Sequence, residues 1–336
     1  MKTVKIKFVG RCPGFEPDWS QIYNILVRHY DVQIVDEDPD YILCDVFDEQ
    51  HYSYCQYPQV RILECGENYI PDLNLVDYGI CRYPITLGDR LFYLPGCAIQ
   101  QDRWLPLMEK DRNYTREFVE SKPYFANFIA GHESEYGIRG DFFKKLCQYK
   151  RVESPGTYLN NMQEQPRVEW NNQSKTDFQR KCKFSLCFES TSNYGFLTEK
   201  LSDGFFADTI PVYYGTPTAT EIFNPKAFIN CHDYENFDQV IERIKELDQD
   251  EDQYLKMLRQ PIFVDPEYPK KLLEDLEAFV MHIFDQPLDQ AYRRSRIYYA
   301  KDHNDYLNRL TEMERRNPVR RIRGALSKIK HGILDK

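Results

Sequence analysis

The chain has 336 residues, 42% of them hydrophobic and 15% aromatic, with a formal net charge of −9. At roughly 150 residues per domain that length predicts two domains, and the apolar content excludes a disordered chain. The charge is uneven: residues 293–336 carry thirteen Lys and Arg against five Asp and Glu, a balance of +8 that leaves −17 on the rest. The acidic body repels nucleic acid, which is not expected as a partner, while the basic tail attracts anionic surfaces.

The N-terminal run Met1-Lys-Thr-Val-Lys-Ile-Lys-Phe-Val-Gly predicts a strand over 3–9 and lacks the apolar stretch of a signal peptide. No run reaches the ~20 apolar residues of a membrane span. Ten cysteines without a Cys-x-x-Cys pair are the pattern of buried thiols in a reducing compartment. A cytoplasmic enzyme is expected. A helix follows over 19–30, with Ile22, Ile25 and Leu26 on one side, then β-like runs at 32–35 and 41–44 split by the acidic turn 36–40. This alternation predicts a parallel sheet flanked by helices. Tyr52, Tyr54 and Tyr57 are packing residues or sugar-stacking rings.

Val60-Arg-Ile-Leu-Glu-Cys-Gly-Glu-Asn-Tyr is a strand that breaks at Gly66, with Glu67 just beyond it. A residue past the carboxyl end of a parallel strand projects into the ligand crevice, where a carboxylate can take a proton from a hydroxyl. The plainer alternative is a surface turn residue. Glu64, within the strand, and Asp77, in an alternating run over 73–80, are the substitutes for that role.

The charged segment 111–122 is the expected linker between a first domain, 1–110, and a second, 123–292. A buried strand over 125–130, a polar loop over 131–137 containing His132, and a helix with Arg139, Phe142, Phe143 and Leu146 open the second domain. A cation at a helix start is disfavoured by about 0.3–1 kcal/mol unless an anion sits beside it. Val152-Glu-Ser-Pro-Gly is strand then loop, and 177–183 a polar helix end.

Residues 184–217 parse as one unit. An apolar strand over 184–188 leads into the polar loop 190–195; Leu197, Leu201 and Phe205 recur at helical spacing, and Thr209 to Tyr214 is a second strand closed by Gly215 and Pro217. Strand, loop, helix and strand make a βαβ unit whose loop lies at the ligand-binding edge of the sheet. Glu199 and Lys200 fall in the first turn of the helix, where a phosphate would reconcile the lysine with the helix dipole; a solvated Glu-Lys pair is the alternative. Helical spacing returns over 237–247 and 254–258. After Pro318, Val319, Ile322, Leu326, Ile329 and Ile333 form an apolar stripe among Arg320, Arg321, Arg323, Lys328 and Lys330. That is a basic amphipathic helix suited to an anionic membrane surface, or to packing on the body or on a second subunit.

The run from Phe188-Glu-Ser, through Tyr194-Gly-Phe-Leu-Thr-Glu-Lys, to Pro211-Val-Tyr-Tyr-Gly and Phe223-Asn-Pro-Lys closely resembles the signature of the α-1,3/4-fucosyltransferase family, in particular its bacterial members. The resemblance implies the α/β fold class GT-B, two Rossmann-like domains facing across a cleft, with GDP-fucose in the C-terminal one. It implies Arg139, Ser190, Tyr194, Phe196, Glu199 and Lys200 as donor-binding residues, Arg139 and Lys200 on the diphosphate, and Glu67, in a Gly-Glu-Asn the family shares, as general base. Ser190 stands where the family has Asn, and Phe196 where it has Tyr, so Phe196 lacks a hydroxyl that would bond the donor.

The activity so implied is inverting transfer of fucose from GDP-fucose to a glycan, at O3 of N-acetylglucosamine in N-acetyllactosamine. The two alternatives are a GT-B enzyme using another GDP-sugar and a non-catalytic glycan-binding protein. No Gly-x-Gly-x-x-Gly follows any strand, which argues against a nicotinamide dehydrogenase. The Asp36-Glu-Asp and Asp38-Pro-Asp runs sit in an early turn, so no metal site and no required cofactor are expected, though a divalent ion would help GDP leave. An oligosaccharide or lipid-linked acceptor fits a protein peripheral on the inner face of the cytoplasmic membrane through residues 315–336.

Overall fold

The computed structural model describes residues 1–47, 52–162 and 173–316. The chain divides into two compact units: Met1–Leu94 together with the chain from Asp275 onward, and Pro95–Glu274.

In the first unit, β1 (Thr3–Val9), α1 (Gln21–His29), β2 (Asp31–Ile34), β3 (Tyr41–Cys44), β4 (Val60–Glu64), β5 (Tyr78–Cys81) and β6 (Leu91–Tyr93) follow in sequence. The strands form one sheet in the order β2-β1-β3-β4-β5-β6 with every pairing parallel. Strands β3, β4 and β5 are buried at every residue, as parallel strands covered on both faces must be. Helix α1 starts at Ser20, whose Oγ accepts the Tyr23 amide at 3.1 Å. It buries Ile22, Ile25 and Leu26, each contributing about 1.5–3 kcal/mol. The alternating run expected over 73–80 is a strand only from Tyr78, because Asp72 accepts the amides of Asn74 and Leu75 and turns the chain there.

The second unit contains β7 (Tyr124–Asn127), α2 (Ile138–Cys147), β8 (Val152–Glu153), α3 (Gln173–Gln179), β9 (Cys182–Phe188), α4 (Glu199–Phe206), β10 (Ile210–Tyr214), β11 (Ile229–Asn230), α5 (Phe237–Gln249) and α6 (Glu251–Leu258). Its sheet, again parallel throughout, has the order β11-β10-β9-β7-β8, which places β9 in the middle. Phe125, Phe184, Phe188, Val212, Val240, Ile244 and Tyr254 belong to one core between sheet and helices.

The units do not follow the expected boundaries. The segment 111–122 is packed on the second unit rather than strung as a linker: Lys110 pairs with Asp208 at 2.9 Å, Tyr114 donates to Asp208, and Arg112 donates to the Leu258 carbonyl. Its dense charge reflects those partners. At the other end, α7 (Tyr268–Asp285) carries the chain back into the first unit, where Phe284 lies 4.2 Å from the Tyr41 ring and Asp285 accepts the Tyr30 hydroxyl at 2.7 Å. Residues 275–292 therefore complete the first unit and not the second. The last described helix, α8 (Tyr298–Arg316), sets Leu307 into a cluster with Tyr54, Leu63 and Leu75. The basic stripe after Pro318 lies outside the described residues, as does all of the proposed membrane-binding stretch from 317 onward.

Candidate functional site

The carboxyl edge of the second sheet is built around the end of β9. Phe188 ends the strand, and Glu189 keeps its backbone in register by donating to the Tyr214 carbonyl at 2.8 Å. The chain then loops out through 190–198 and returns as α4. Gly195, at φ 82°, makes the return possible, its amide donating to Thr216 Oγ1 at 2.7 Å, while Ser192 Oγ donates to the Gly215 carbonyl at 2.6 Å. Gly215 has no alternative: a Cβ there would lie 2.6 Å from Glu189 Cγ.

That crowding aims the Glu189 carboxylate, 1% exposed, at the start of α4. It accepts the Thr198 amide at 2.8 Å and the Thr198 hydroxyl at 2.7 and 2.8 Å, and it pairs with Lys200 at 3.1 Å. Lys200 also lies 3.3 Å from Glu199. Further along, Lys175 on α3 reaches Glu199 at 3.8 Å and Asp203 at 2.6 Å, and Arg103 closes the run on Asp203 at 3.1 Å. The result is an alternating row, Glu189, Lys200, Glu199, Lys175, Asp203 and Arg103, in which each charge has an opposite neighbour. Burial works against the Lys200 ammonium, yet Glu189 and Glu199 outweigh it and hold the lysine above its usual range. For Glu199 burial likewise opposes ionisation, and Lys200 and Lys175 prevail, keeping the carboxyl below the ordinary value.

Arg139 is buried beside this row. Its Nε and Nη2 donate to the Phe188 carbonyl at 3.0 and 2.8 Å, and its Nη1 to the His132 carbonyl at 3.2 Å. Burial pulls its guanidinium below the usual value, with Glu189 as the main opposing charge. Three of its five N–H groups are thus engaged. Glu133 serves α2 as Glu189 serves α4: it accepts the Gly140 amide at 3.2 Å on both oxygens, the Ser134 amide at 2.8 Å and the Tyr158 hydroxyl.

These two carboxylates correct the sequence-based account of the helix starts. The cations at residues 139 and 200 do not require a bound phosphate to offset the dipole, because the chain supplies Glu133 and Glu189 there. The same two carboxylates also take the backbone amides of Thr198 and Gly140.

A cavity of about 260 Å³ opens at this edge, lined by Ser134, Tyr136, Glu189, Ser190, Asn193 and Tyr214 among others. Of the expected donor residues Ser190 lines it, Glu199 and Lys200 stand in the row that Glu189 shares with it, and Arg139 bonds the strand end beneath. Tyr194 is 64% exposed and does not line the cavity. Phe196 is 4% exposed and forms part of the interior, so a hydroxyl at its ring is not what the cavity lacks. His132 is an exposed loop residue, in keeping with its lack of any partner histidine. Sequence reasoning missed Glu189, Lys175, Asp203 and Arg103; only Glu189 had a local signal, a lone carboxylate ending an apolar strand.

On the first unit Glu67 is exposed just past the carboxyl end of β4, an interior strand, and its carboxylate has no hydrogen-bond or ion-pair partner among the described residues. Both substitutes are structural. Glu64 accepts Ser20 Oγ at 2.6 Å, the Gln21 amide at 2.7 Å and Arg11 at 3.1 Å, which anchors the start of α1. Asp77, fully buried, accepts the amides of Arg61, Arg293 and Arg294 at 2.7, 2.8 and 2.9 Å and pairs with Arg294 at 2.9 Å. Among the described residues no three His, Cys, Asp or Glu side chains converge where they could hold a metal ion, and no helix is long and apolar enough to cross a membrane.

Two parallel α/β units, one with an exposed carboxylate just past an interior strand and the other with a polar cavity at the carboxyl edge of its sheet, have the architecture of the GT-B fold. The solved structures agree: a crystal structure of an α1,3-fucosyltransferase superimposes with a TM-score of 0.68 at 25% identity over 88% of this chain and 93% of that one. Another, an α1,3-fucosyltransferase with GDP-fucose, gives 0.63 at 25% identity over 83% of this chain and 91% of that one. Residues 119–260 match the family model of the glycosyltransferase family 10 (fucosyltransferase) C-terminal region, and residues 6–99 that of the alpha-(1,3)-fucosyltransferase FucT N-terminal domain. The chain belongs to the family 10 fucosyltransferases. The alpha-(1,3)-fucosyltransferase FucT of Helicobacter pylori is 32% identical over 227 residues, covering 59% of this chain and 46% of that protein. The chain spans less than half the length of the curated relatives it matches.

Proposed function

We propose that this protein transfers fucose from GDP-fucose to a glycan hydroxyl with inversion at the anomeric carbon, at O3 of N-acetylglucosamine in an N-acetyllactosamine unit. The observation that carries the proposal is the Lys200 and Arg139 pair at the carboxyl edge of the second sheet, in a chain whose solved relative is described with GDP-fucose. GDP is a good leaving group, so the reaction needs no general acid at the glycosidic oxygen. It needs charge opposite the departing diphosphate, which Lys200 and the unengaged N–H groups of Arg139 supply. Glu199 is assigned to accept hydrogen bonds from ribose or sugar hydroxyls, and Ser190 lines the cavity.

As the acceptor oxygen bonds to the anomeric carbon and the bond to GDP breaks, Glu67 takes the hydroxyl proton. A free, exposed carboxylate suits that role better than Glu64 or Asp77, whose oxygens are already committed. No step asks for a protein-held metal, and EDTA is expected to leave GDP binding unchanged. The basic stretch 315–336 would bring the protein to the inner face of an anionic membrane, where a lipid-linked acceptor resides. A donor other than fucose on GDP is the second reading, favoured by Ser190 in the cavity wall where the family has Asn.

Calorimetric titration with GDP, followed by GDP-fucose turnover on N-acetyllactosamine, tests the proposal. Binding with fucose transfer supports it; binding without transfer moves the donor sugar or acceptor elsewhere. Absence of GDP binding rejects the roles of Arg139 and Lys200.

A further inference from the structure

The amino edge of the first sheet, opposite the edge that bears Glu67, holds a second cavity, of about 440 Å³. It lies between the start of β4, the segment after α7 and helix α8. Arg61, Arg294, Arg296 and Lys301 line it together with amides such as Asn74 and Asn308, against one lining carboxylate, Asp305, which Lys301 pairs with. Donors therefore far outnumber acceptors, the reverse of what a neutral sugar needs.

Two of the cations are fixed by the fold. Arg61 is 2% exposed and donates to the carbonyls of Tyr57, Leu75 and Cys55 at 2.8 Å and to Asn304 at 2.7 Å. Arg294, 7% exposed, donates through Nε to Asp77 and through Nη2 to the Gln59 carbonyl, while its Nη1 has no hydrogen-bond partner among the described residues. Asp77 is the one carboxylate that both arginines bond, Arg61 through its backbone amide. Burial first, and the neighbouring Arg294 charge second, push the Arg61 guanidinium down to about 10. The third cation, Arg296, stacks at 4.0 Å on the Tyr292 ring, whose other contact is Arg294 at 4.6 Å, and it donates no hydrogen bond among the described residues. Guanidinium groups held rigid with unused N–H groups are built for the oxygens of a phosphate.

We propose that this cavity binds a phosphate ester the size of a sugar phosphate or a phospholipid headgroup. Arg294 Nη1 and Arg296 grip the phosphate oxygens, Lys301 exchanges part of its pairing with Asp305 for the same anion, and the amides of Asn74 and Asn308 serve the hydroxyls. The site is separate from the donor cavity, which belongs to the other unit.

The test titrates the full chain with inorganic pyrophosphate and with glucose 1-phosphate in the presence of saturating GDP, so that the donor site is filled. The double variant Arg296→Gln/Lys301→Gln is compared with it, since both side chains are exposed and neither anchors the sheet. The expected result is a GDP-independent site whose affinity falls about tenfold or more in the double variant, with GDP affinity and melting temperature unchanged. No binding by the wild type, or equal affinity in the variant, overturns the proposal. Given the loss with soluble probes, flotation on phosphatidylcholine vesicles containing phosphatidylglycerol assigns the source. Weaker flotation of the variant identifies a lipid headgroup, and equal flotation identifies a free phosphate ester. Failure of GDP binding would instead strike the donor site, so the two proposals fail separately.

Discussion

Replacing Glu189 by Gln should weaken the fold and tighten nucleotide binding at once. The carboxylate is 1% exposed, holds three hydrogen bonds from Thr198 and lies 3.1 Å from Lys200. Breaking a buried ion pair costs about 3–5 kcal/mol when the surviving charge is stranded. Lys200 is not stranded, because Glu199 remains at 3.3 Å, and Gln keeps the acceptor for Thr198, so about 2–3 kcal/mol is expected. At about 2–4 °C per kcal/mol for a unit of this size, the melting temperature should fall by about 5–10 °C. A phosphate seated on Lys200 would share that lysine with Glu189, a like charge. Two unit charges about 5 Å apart at an effective dielectric near 20 repel by about 3 kcal/mol, and partial exposure reduces this to about 1–2. GDP should therefore bind about five- to thirtyfold tighter to the variant. Thermal melting and GDP calorimetry on the same preparation read both effects. GDP affinity that falls together with the melting temperature would refute the placement of the phosphate, and an unchanged melting temperature would refute the role of Glu189 at the start of α4.

Glu67→Gln should lose about 10²–10⁴ in turnover with GDP affinity unchanged, and a matching loss in GDP affinity would remove Glu67 as the base. Lys200→Met should weaken GDP binding about tenfold or more; calorimetry that shows no change would detach Lys200 from the diphosphate. Asp77→Asn should cost about 3–5 kcal/mol in urea unfolding, since four donors converge on that buried carboxylate, and a loss below 1 kcal/mol would contradict its anchoring role. Burial raises the Asp45 carboxyl to about 6 from an ordinary 3.8, with Arg11 at 3.6 Å opposing. The folded state then holds its proton more tightly than the unfolded one, so this stabilisation is complete at low pH and is lost as pH rises from about 4 to about 6. The stability difference between wild type and Asp45→Asn should shift by about 2–3 kcal/mol across that window, and a constant difference would reject the raised value.

The βαβ unit at 184–214 was legible because its signals are local: a short apolar strand, a polar loop with glycine, then leucine and phenylalanine at helical spacing. The positions of Arg139 and Lys200 at helix starts were legible for the same reason. What neutralises them was not, because Glu133 and Glu189 act across loops, and Lys175, Asp203 and Arg103 come together from segments up to a hundred residues apart. Phe196 illustrates a different limit. An aromatic residue in a polar loop has the same local pattern whether its ring faces a ligand or the core, and only packing decides. Short strands such as Leu91–Tyr93 and Ile229–Asn230 carry too few residues for a period to show. The domain boundary was misplaced because charge density was taken for solvent exposure, whereas Lys110, Arg112 and Arg116 are pinned by Asp208, Leu258 and Asp252.

The return of the chain to its first unit has a consequence for how the protein is made. All six strands of the first sheet are synthesised before residue 95, yet Asp77 then lacks the Arg293 and Arg294 amides, and Tyr41 lacks Phe284. The intervening 95–274 unit can finish on the ribosome while the earlier half waits, open along one flank, for α7 and the arginines behind it. A ribosome-stalled nascent chain released at 274 should yield a protease-resistant second unit beside a digestible first one, and one released after 316 should protect both.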